Sequence, residues 1–519
     1  IDCGSSSLEP YTDERSIKWV GDDPYIRNGE THKVNIAPPN LNTWDSQVMS
    51  TLRAFPTRKR NCYSIDIEDT TTVERVLVRA SFHYGNYDNK SSPPTFSLQF
   101  NGNNWTQIQT SISLIEGKNI NVCLAQTQPD NIPFISALEV RSLDSEAYSY
   151  IGTDYPLLFI LREAFTSTNI RFPEDSFDRI WRTAAPGPNN SNGLIAVTSD
   201  SPSIIVDFDE KPPEAVIRTA LTFSNSSTTT PLSSTRFADP PYHPIQFIAY
   251  FSEVIKLSPP QKRSFNITVN NNELGTIILP KGSVIPPYGR VLQVHIANVT
   301  SSTVNASYSI TSTRTDDSTL PPLINALEGF IIGDKLVQGT NSNDVRVCLF
   351  ISESIGFIAK SFVQLQSWSG DPCLPSPYNW EWITCNDDTD SPRVTALYLN
   401  DLGLEGILPD FSAMDALVTI DLHNNSLMQE IPDFLGTFPK LETLNLADNK
   451  FSGTIPSSIS NNINLKLNVS GNPLCTNKTI CKTDSVSRSP PSPSKGTSSK
   501  TLAKPIIIIL LSMFFGLLF

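Results

Sequence analysis

The amino-acid sequence predicts a mainly β protein, two tandem β-rich domains followed by a short leucine-rich repeat solenoid. Three observations predict it. The 519 residues include 40 prolines and only 4 methionines, and proline breaks long helices while suiting strand edges and turns. Short apolar or alternating runs, such as 76–82 and 95–100, are separated by Gly, Asn, Asp and Pro clusters, which is how strands punctuate a sequence. Beyond residue 394 a period of 23–24 residues sets in.

The first two domains are read from an internal repeat. Residues 121–140 resemble 308–329: each is a strand, a polar turn and a Pro-led apolar strand. The two stretches share Ala137-Leu138-Glu139 and Ala326-Leu327-Glu328. The separation is too long for a solenoid unit and suits tandem domains, placed at 1–145 and 150–333. Residues 334–366 follow as a helix-prone connector containing Cys348, and 367–393 carry Gly370-Asp371-Pro372-Cys373 and Trp380-Glu381-Trp382.

The repeats occupy 394–482. Leu397-x-Leu399, Ile420-x-Leu422, Leu444-x-Leu446 and Leu467-x-Val469 mark the coils. Asn425 and Asn449 follow the second and third, and Ile431-Pro432 and Ile455-Pro456 close the turns. Leucines at these positions fill the coil interior, and the asparagines bond backbone inside tight turns. A stack this short needs its ends closed. Cys373 and Cys385 flank one end and Cys475 and Cys481 the other. Each pair is expected as a disulfide closing a short loop, worth roughly 2–3 kcal/mol. Cys3, Cys62, Cys123 and Cys348 allow three pairings, and spacing does not choose among them.

The last part is a Ser/Pro-rich linker and spacer, 483–505, ahead of an apolar tail, 506–519. Fourteen residues span about 21 Å as a helix, short of a bilayer core of roughly 30 Å. Small residues, a polar spacer and an apolar tail match a glycosylphosphatidylinositol signal with Ser494 or Gly496 as attachment residue. The competing readings are a true short membrane anchor and a truncated transmembrane helix. Sequons at Asn89, Asn104, Asn189, Asn225, Asn266, Asn298, Asn305, Asn424, Asn468 and Asn477, with eight cysteines, indicate the secretory pathway. The plasma membrane, extracellular face, is the expected location. Ile1 opens the chain without an apolar leader, as a mature secreted form or a fragment does. A net charge of −13 argues against nucleic-acid binding.

Several stretches resemble the malectin-like ectodomain of plant receptor kinases. They are Ile1-Asp2-Cys3-Gly4, Arg58-Lys59-Arg60-Asn61-Cys62-Tyr63 and the run Ala80-Ser81-Phe82-His83-Tyr84-Gly85-Asn86-Tyr87-Asp88. Gly370-Asp371-Pro372-Cys373 ahead of leucine-rich repeats is similar to the symbiosis receptor kinase arrangement. The resemblance implies two tandem malectin-like β-sandwiches related to a carbohydrate-binding module, plant origin, and recognition of ligands or co-receptors at the cell surface. No Gly-rich loop, Val-Ala-Ile-Lys or Asp-Phe-Gly set is found, so kinase activity is not expected of this chain.

Candidate sites follow from residue chemistry. Tyr84, Tyr87 and Asp88 lie together at a strand end before a polar loop, which suits an aromatic sugar platform with a polar neighbour. The competing role is packing of the sandwich edge, with Asp88 capping the turn. The five histidines match no zinc or triad spacing, and His83 falls in a run predicted as strand. Catalytic residues, metals and cofactors are therefore not expected. Trp380 and Trp382 suit either a recognition surface or a cover for the first repeat. The expected function is a receptor-like or co-receptor protein binding an extracellular peptide, glycan or receptor-kinase ectodomain. The alternative is a tether from cell-wall polysaccharide to the plasma membrane.

Overall fold

The computed structural model describes residues 1–474 except 6–8, 36–46, 67–74, 106–110, 115–118, 153, 186–192, 225–228, 237–242, 272–274, 279–282, 300–306, 338, 359–369 and 387–390. Strands dominate. The helices among the described residues are Ser342–Ile358 and short segments of three or four residues.

The first sandwich sets a four-stranded sheet over a second layer. The four strands run in the order Arg60–Asp66, Asn119–Gln126, Phe96–Phe100, Asn103–Trp105. Opposite them lie Arg75–Ser81 and Ala137–Leu143, paired antiparallel. Alternation fills the space between: Val76, Val78 and Ala80 from one layer meet Tyr63, Leu98, Phe100, Val122 and Leu124 from the other. The second sandwich repeats the plan. Thr229–Arg236, Ser307–Arg314, Phe265–Asn271 and Gly275–Ile278 form its outer sheet, and Phe247, Phe251, Ile267, Val269 and Ile310 fill its core.

The internal repeat in the sequence is a repeat of structure. Asn119–Gln126 and Ser307–Arg314 each enter an outer four-stranded sheet. Phe134–Ile135 and Leu323–Ile324 each join a three-stranded sheet. Ala137–Leu143 and Ala326–Ile332 each join the inner layer.

The inner layers are not separate. Ser111–Leu114 pairs with Arg75–Ser81 on one side and with Leu157–Ala164 on the other. A single sheet thus runs from Ala137–Leu143 to Leu292–Val299 across both halves. Arg75–Ser81 is consequently buried on both faces: Leu77 points away from Val76 and Val78 into a cluster with Tyr148, Phe177, Trp181, Tyr250 and Phe330.

Charges are buried along this seam, and each has partners. Glu139 accepts from Arg79 at 3.0 Å, from Arg141 at 3.0 Å and from Arg171 at 3.0 Å. Arg171 also forks onto Asp178 at 2.8 Å. Burial pushes the Asp178 carboxyl up, but Arg171, Arg79 and Arg141 outweigh it and hold the group well below the usual carboxylate range. Glu328, at the matching position of the second repeat, is fully buried. It pairs with Arg162 and accepts from Tyr148 and Tyr250, both at 3.0 Å. Here too burial raises the carboxyl, and Arg162 and Arg179 leave it below its ordinary value.

The repeats form a parallel sheet of Val394–Tyr398, Thr419–Asp421, Thr443–Asn445 and Lys466–Asn468, with Leu397, Ile420, Leu444 and Leu467 in register. Ile383–Cys385 adds an antiparallel strand at the first coil. Asn425 donates to Leu399 O and Leu422 O at 2.8 and 2.9 Å and accepts from Leu404 N at 2.9 Å. Asn449 does the same one coil later, donating to Leu422 O at 2.9 Å and accepting from Leu427 N at 3.1 Å. A side-chain amide has donors and an acceptor in one plane, so each asparagine stitches its own turn to the neighbouring coil. Asn472 makes a third such set.

Candidate functional site

Tyr84, Tyr87 and Asp88 are brought together on the turn that leaves Arg75–Ser81. Gly85 and Asn86 take positive φ there, +51° and +54°, and a side chain on Gly85 would strike Val34. The strand ends at Ser81, so His83 lies beyond it rather than within it, its N–H donating to Ser136 Oγ at 3.0 Å. The turn is held by its own side chains. Asn86 Oδ1 accepts from Ser91 N at 2.7 Å, and Asp88 Oδ1 accepts from Lys90 N at 3.1 Å.

The Tyr84 hydroxyl donates to Asp88 Oδ1 and lies 3.3 Å from Asn86 Oδ1. Partial burial raises the Asp88 carboxyl, but the bonds from Tyr84 and the Lys90 N–H bring it below its ordinary value. Tyr87 donates to Ile132 O at 3.4 Å, and its ring packs on Phe134 with centroids 5.5 Å apart. Tyr84 meets Tyr87 edge-on at 5.7 Å. His32 adds a ring 5.0 Å from Tyr87, a neighbour that no local spacing would reveal because it comes from a different strand. The three residues therefore form an aromatic rim over the Leu52, Ala54 and Phe134 cluster, half-exposed, with the polar atoms of Tyr84 and Asp88 bonded to each other.

The repeat sheet offers a second surface. Tyr398, Asp421, Asn445 and Asn468 share one register row across four coils, with Tyr398 exposed. Beside the row, His423 Nδ1 lies 2.7 Å from Asp421 Oδ1 and its Nε2 lies 3.6 Å from Asp401, which raises the imidazole above its ordinary value. Trp380 and Trp382 are buried 5.7 Å apart beside the first coil, so they cover the core rather than face outward.

The cysteines divide differently from a fully paired set. Cys373 joins Cys385, and Cys62 joins Cys123 on neighbouring strands. Cys3 and Cys348 are buried free thiols in different cores, which corrects the expectation of two bridges among Cys3, Cys62, Cys123 and Cys348. Desolvation pushes both thiols up. Asn89, Asn266, Asn424 and Asn468 are exposed, as a glycan acceptor requires, and Asn104 and Asn298 lie on strands. Asn189, Asn225, Asn305 and Asn477 fall outside the described residues, as do Cys475, Cys481, Ser494, Gly496 and the tail. No helix among the described residues is long and apolar enough to cross a membrane.

Comparison with known proteins sets this geometry in context. A malectin-like domain model matches residues 1–332, and a leucine-rich repeat model matches 416–438 and 440–462. An Arabidopsis thaliana protein named as the probable LRR receptor-like serine/threonine-protein kinase At1g51880 is 30% identical over 540 residues, covering 99% of this chain and 56% of that protein. The chain spans about half the length of the receptor-like kinases it matches. The Arabidopsis protein At1g24485, named as uncharacterized, is 33% identical over 359 residues and covers 66% of each chain. Among solved structures, the ANX1 ectodomain from Arabidopsis thaliana superposes with a TM-score of 0.51 at 15% identity, covering 64% of this chain and 95% of its own. The plant receptor-like kinase FER does so with a TM-score of 0.50 at 15% identity, covering 64% and 95%. At such identity the likeness is one of fold.

Proposed function

Because the chain belongs to the malectin-like domain family and carries leucine-rich repeats behind that domain, we propose that it is the extracellular part of a cell-surface receptor-like or co-receptor protein. Its partner on this reading is a secreted peptide, a glycan or the ectodomain of a receptor kinase. One observation carries the reading: the alignment to a probable LRR receptor-like kinase extends over 99% of this chain. On this reading the chain acts by binding. The membrane attachment is a lipid on Ser494 or Gly496, or the 506–519 segment itself.

The wall-tether reading depends on the Tyr84–Tyr87–Asp88 rim as a sugar platform. Fold kinship alone does not carry a sugar site from one protein to another. The Tyr84 hydroxyl and Asp88 are engaged with each other, which leaves ring faces but fewer free polar groups for a sugar. Surface plasmon resonance of the purified chain against secreted peptides and receptor-kinase ectodomains, run beside a cell-wall glycan array, tests the two readings. A saturable peptide or protein complex supports the receptor reading. Glycan retention abolished by Tyr84→Ala/Tyr87→Ala, with no protein complex, overturns it in favour of the tether. Release from intact cells by a phosphatidylinositol-specific phospholipase C, with a C-terminal peptide ending near Ser494, supports the lipid anchor. Retention with the tail attached rejects it.

A further inference from the structure

The chain leaves the second sandwich at Ile332 and returns to the first. Val337 N donates to Asn103 Oδ1 at 3.1 Å, on the rim of the outer four-stranded sheet. Farther along, the Gly370–Leu374 turn lies against the same sheet. Gly370 has φ +78°, and a Cβ there would sit 2.6 Å from Cys62 Sγ and 3.0 Å from Cys123 Sγ. Only glycine brings the backbone that close to the two sulfurs.

The Asp371 carboxylate winds the turn. It accepts from Thr340 N at 2.7 Å, from the Thr340 hydroxyl, from Cys373 N at 2.9 Å and from Leu374 N at 2.8 Å. So wound, the turn presents two backbone carbonyls to Arg60 on strand Arg60–Asp66. Arg60 Nη2 donates to Asp371 O at 2.6 Å and Nη1 to Leu374 O at 2.5 Å. A planar fork with several donors suits two acceptors held in one plane. Burial lowers the guanidinium to about 10, opposed by Asp371 and by Glu381 of the cap, so it stays charged at neutral pH.

What Arg60 grips is not a loose linker. Cys373 is bridged to Cys385, and Pro372 O accepts from Trp380 N at 2.9 Å, so the turn is the first piece of the repeat cap. On the far side of the joint, Asp344 of helix Ser342–Ile358 accepts from Arg393 Nε at 2.8 Å and Val394 N at 2.9 Å, while Val347, Cys348 and Ile351 enter the repeat core.

We infer that Arg60 and the Gly370–Leu374 turn form a latch that fixes the repeat module on the outer sheet of the first sandwich and seals the Cys62–Cys123 disulfide beneath it. The holding groups are an arginine fork, a carboxylate-wound turn and a glycine, all of which can separate without unpacking either core. While the latch is closed, this sheet face is occupied by the chain's own repeat module, and an external partner must dock elsewhere.

Reduction of the sealed disulfide reads the latch directly. Dithiothreitol gives two electrons and two protons to Cys62–Cys123, leaving two thiols and its own cyclic disulfide. The full chain, as wild type, Arg60→Ala and Gly370→Ala, is exposed to dithiothreitol for timed intervals under native conditions and alkylated, and the cysteine peptides are quantified by mass spectrometry. Cys3, a fully buried free thiol in the same sandwich, reports global opening. The expected result is reduction of Cys62–Cys123 about tenfold faster or more in Arg60→Ala, as loss of charge-assisted hydrogen bonds shifts the opening equilibrium, with Cys3 unlabelled. Gly370→Ala behaves alike through steric displacement. Rates equal to wild type in both variants overturn the inference. So does acceleration accompanied by equal labelling of Cys3, because the whole sandwich is then opening.

Discussion

The two joints of this molecule hold in different ways. Between the sandwiches, backbone pairing is continuous through Ser111–Leu114 and Leu157–Ala164, and Glu139 and Arg79 of the first half are buried against Arg171 and Asp178 of the second. Between the first sandwich and the repeats, Arg60 meets two carbonyls and Gly370 rests on a disulfide. The first joint cannot part without stripping ions of their counter-ions in a low-dielectric interior. On the latch reading, the second parts by exposing Arg60, lifting Leu374 off Gly102 and exchanging a few hydrogen bonds for water. A seam of the first kind makes two sandwiches behave as one body, whereas a latch of the second kind would let the repeats separate from it.

The largest expected effect is that of Arg162→Met, just inside the second sandwich, which leaves Glu328 buried without its main counter-ion. It is expected to cost about 3–5 kcal/mol, read as a fall in the urea midpoint for the whole malectin-like region. Asp178→Asn removes the hub that Arg171 and Arg141 share and is expected to cost about 2–3 kcal/mol, at the lower end because Glu139 still faces the arginines. It also carries a pH signature. Asp178 and Glu328 have depressed folded-state values, so their stabilisation is present above the unfolded carboxylate value of about 4 and is lost as pH falls below it. Melting temperature against pH should therefore drop steeply on the acid side for wild type and less steeply for Asp178→Asn. Asn449→Ala acts inside one module. It is expected to cost about 1–3 kcal/mol by leaving backbone groups of two coils unpaired, seen as a separate shift in the repeats' hydrogen exchange. Tyr84→Phe is the baseline: the hydroxyl lies at the surface, and the expected result is a melting midpoint indistinguishable from wild type.

The parts legible in the sequence were those whose cause is local. Asn425, Asn449 and the Ile-Pro turns announce the repeat because each asparagine bonds groups within its own coil or the one before. Asn472 carries the same signal, five residues past Leu467. The Ala-Leu-Glu repeat marked matching strands, yet nothing near Glu139 or Glu328 says that either is buried. Their arginines, at 79, 162 and 171, come from strands and loops far along the chain. Gly370-Asp371-Pro372-Cys373 stood out as a motif, but Arg60, which grips it, stood out only as part of another motif 311 residues away. At the candidate rim, Tyr84, Tyr87 and Asp88 are adjacent in sequence and in space, while His32 and Phe134 complete it from elsewhere. Side-chain chemistry could be read from sequence where the fold kept it local, and was lost where two distant strands supplied one site.

The shared central sheet also orders events during synthesis. The first sandwich leaves the ribosome before residues 157–164 emerge, so Ser111–Leu114 appears with one edge unpaired, and such an edge recruits other strands. Glu139 and Arg79 likewise wait for Arg171 and Asp178. The nascent N-terminal half is thus an incomplete object until its second half arrives, and exposed strand edges of that kind are prone to mispairing. Shortening the delay between the two halves, rather than strengthening either one, is the change expected to raise the yield of folded chain.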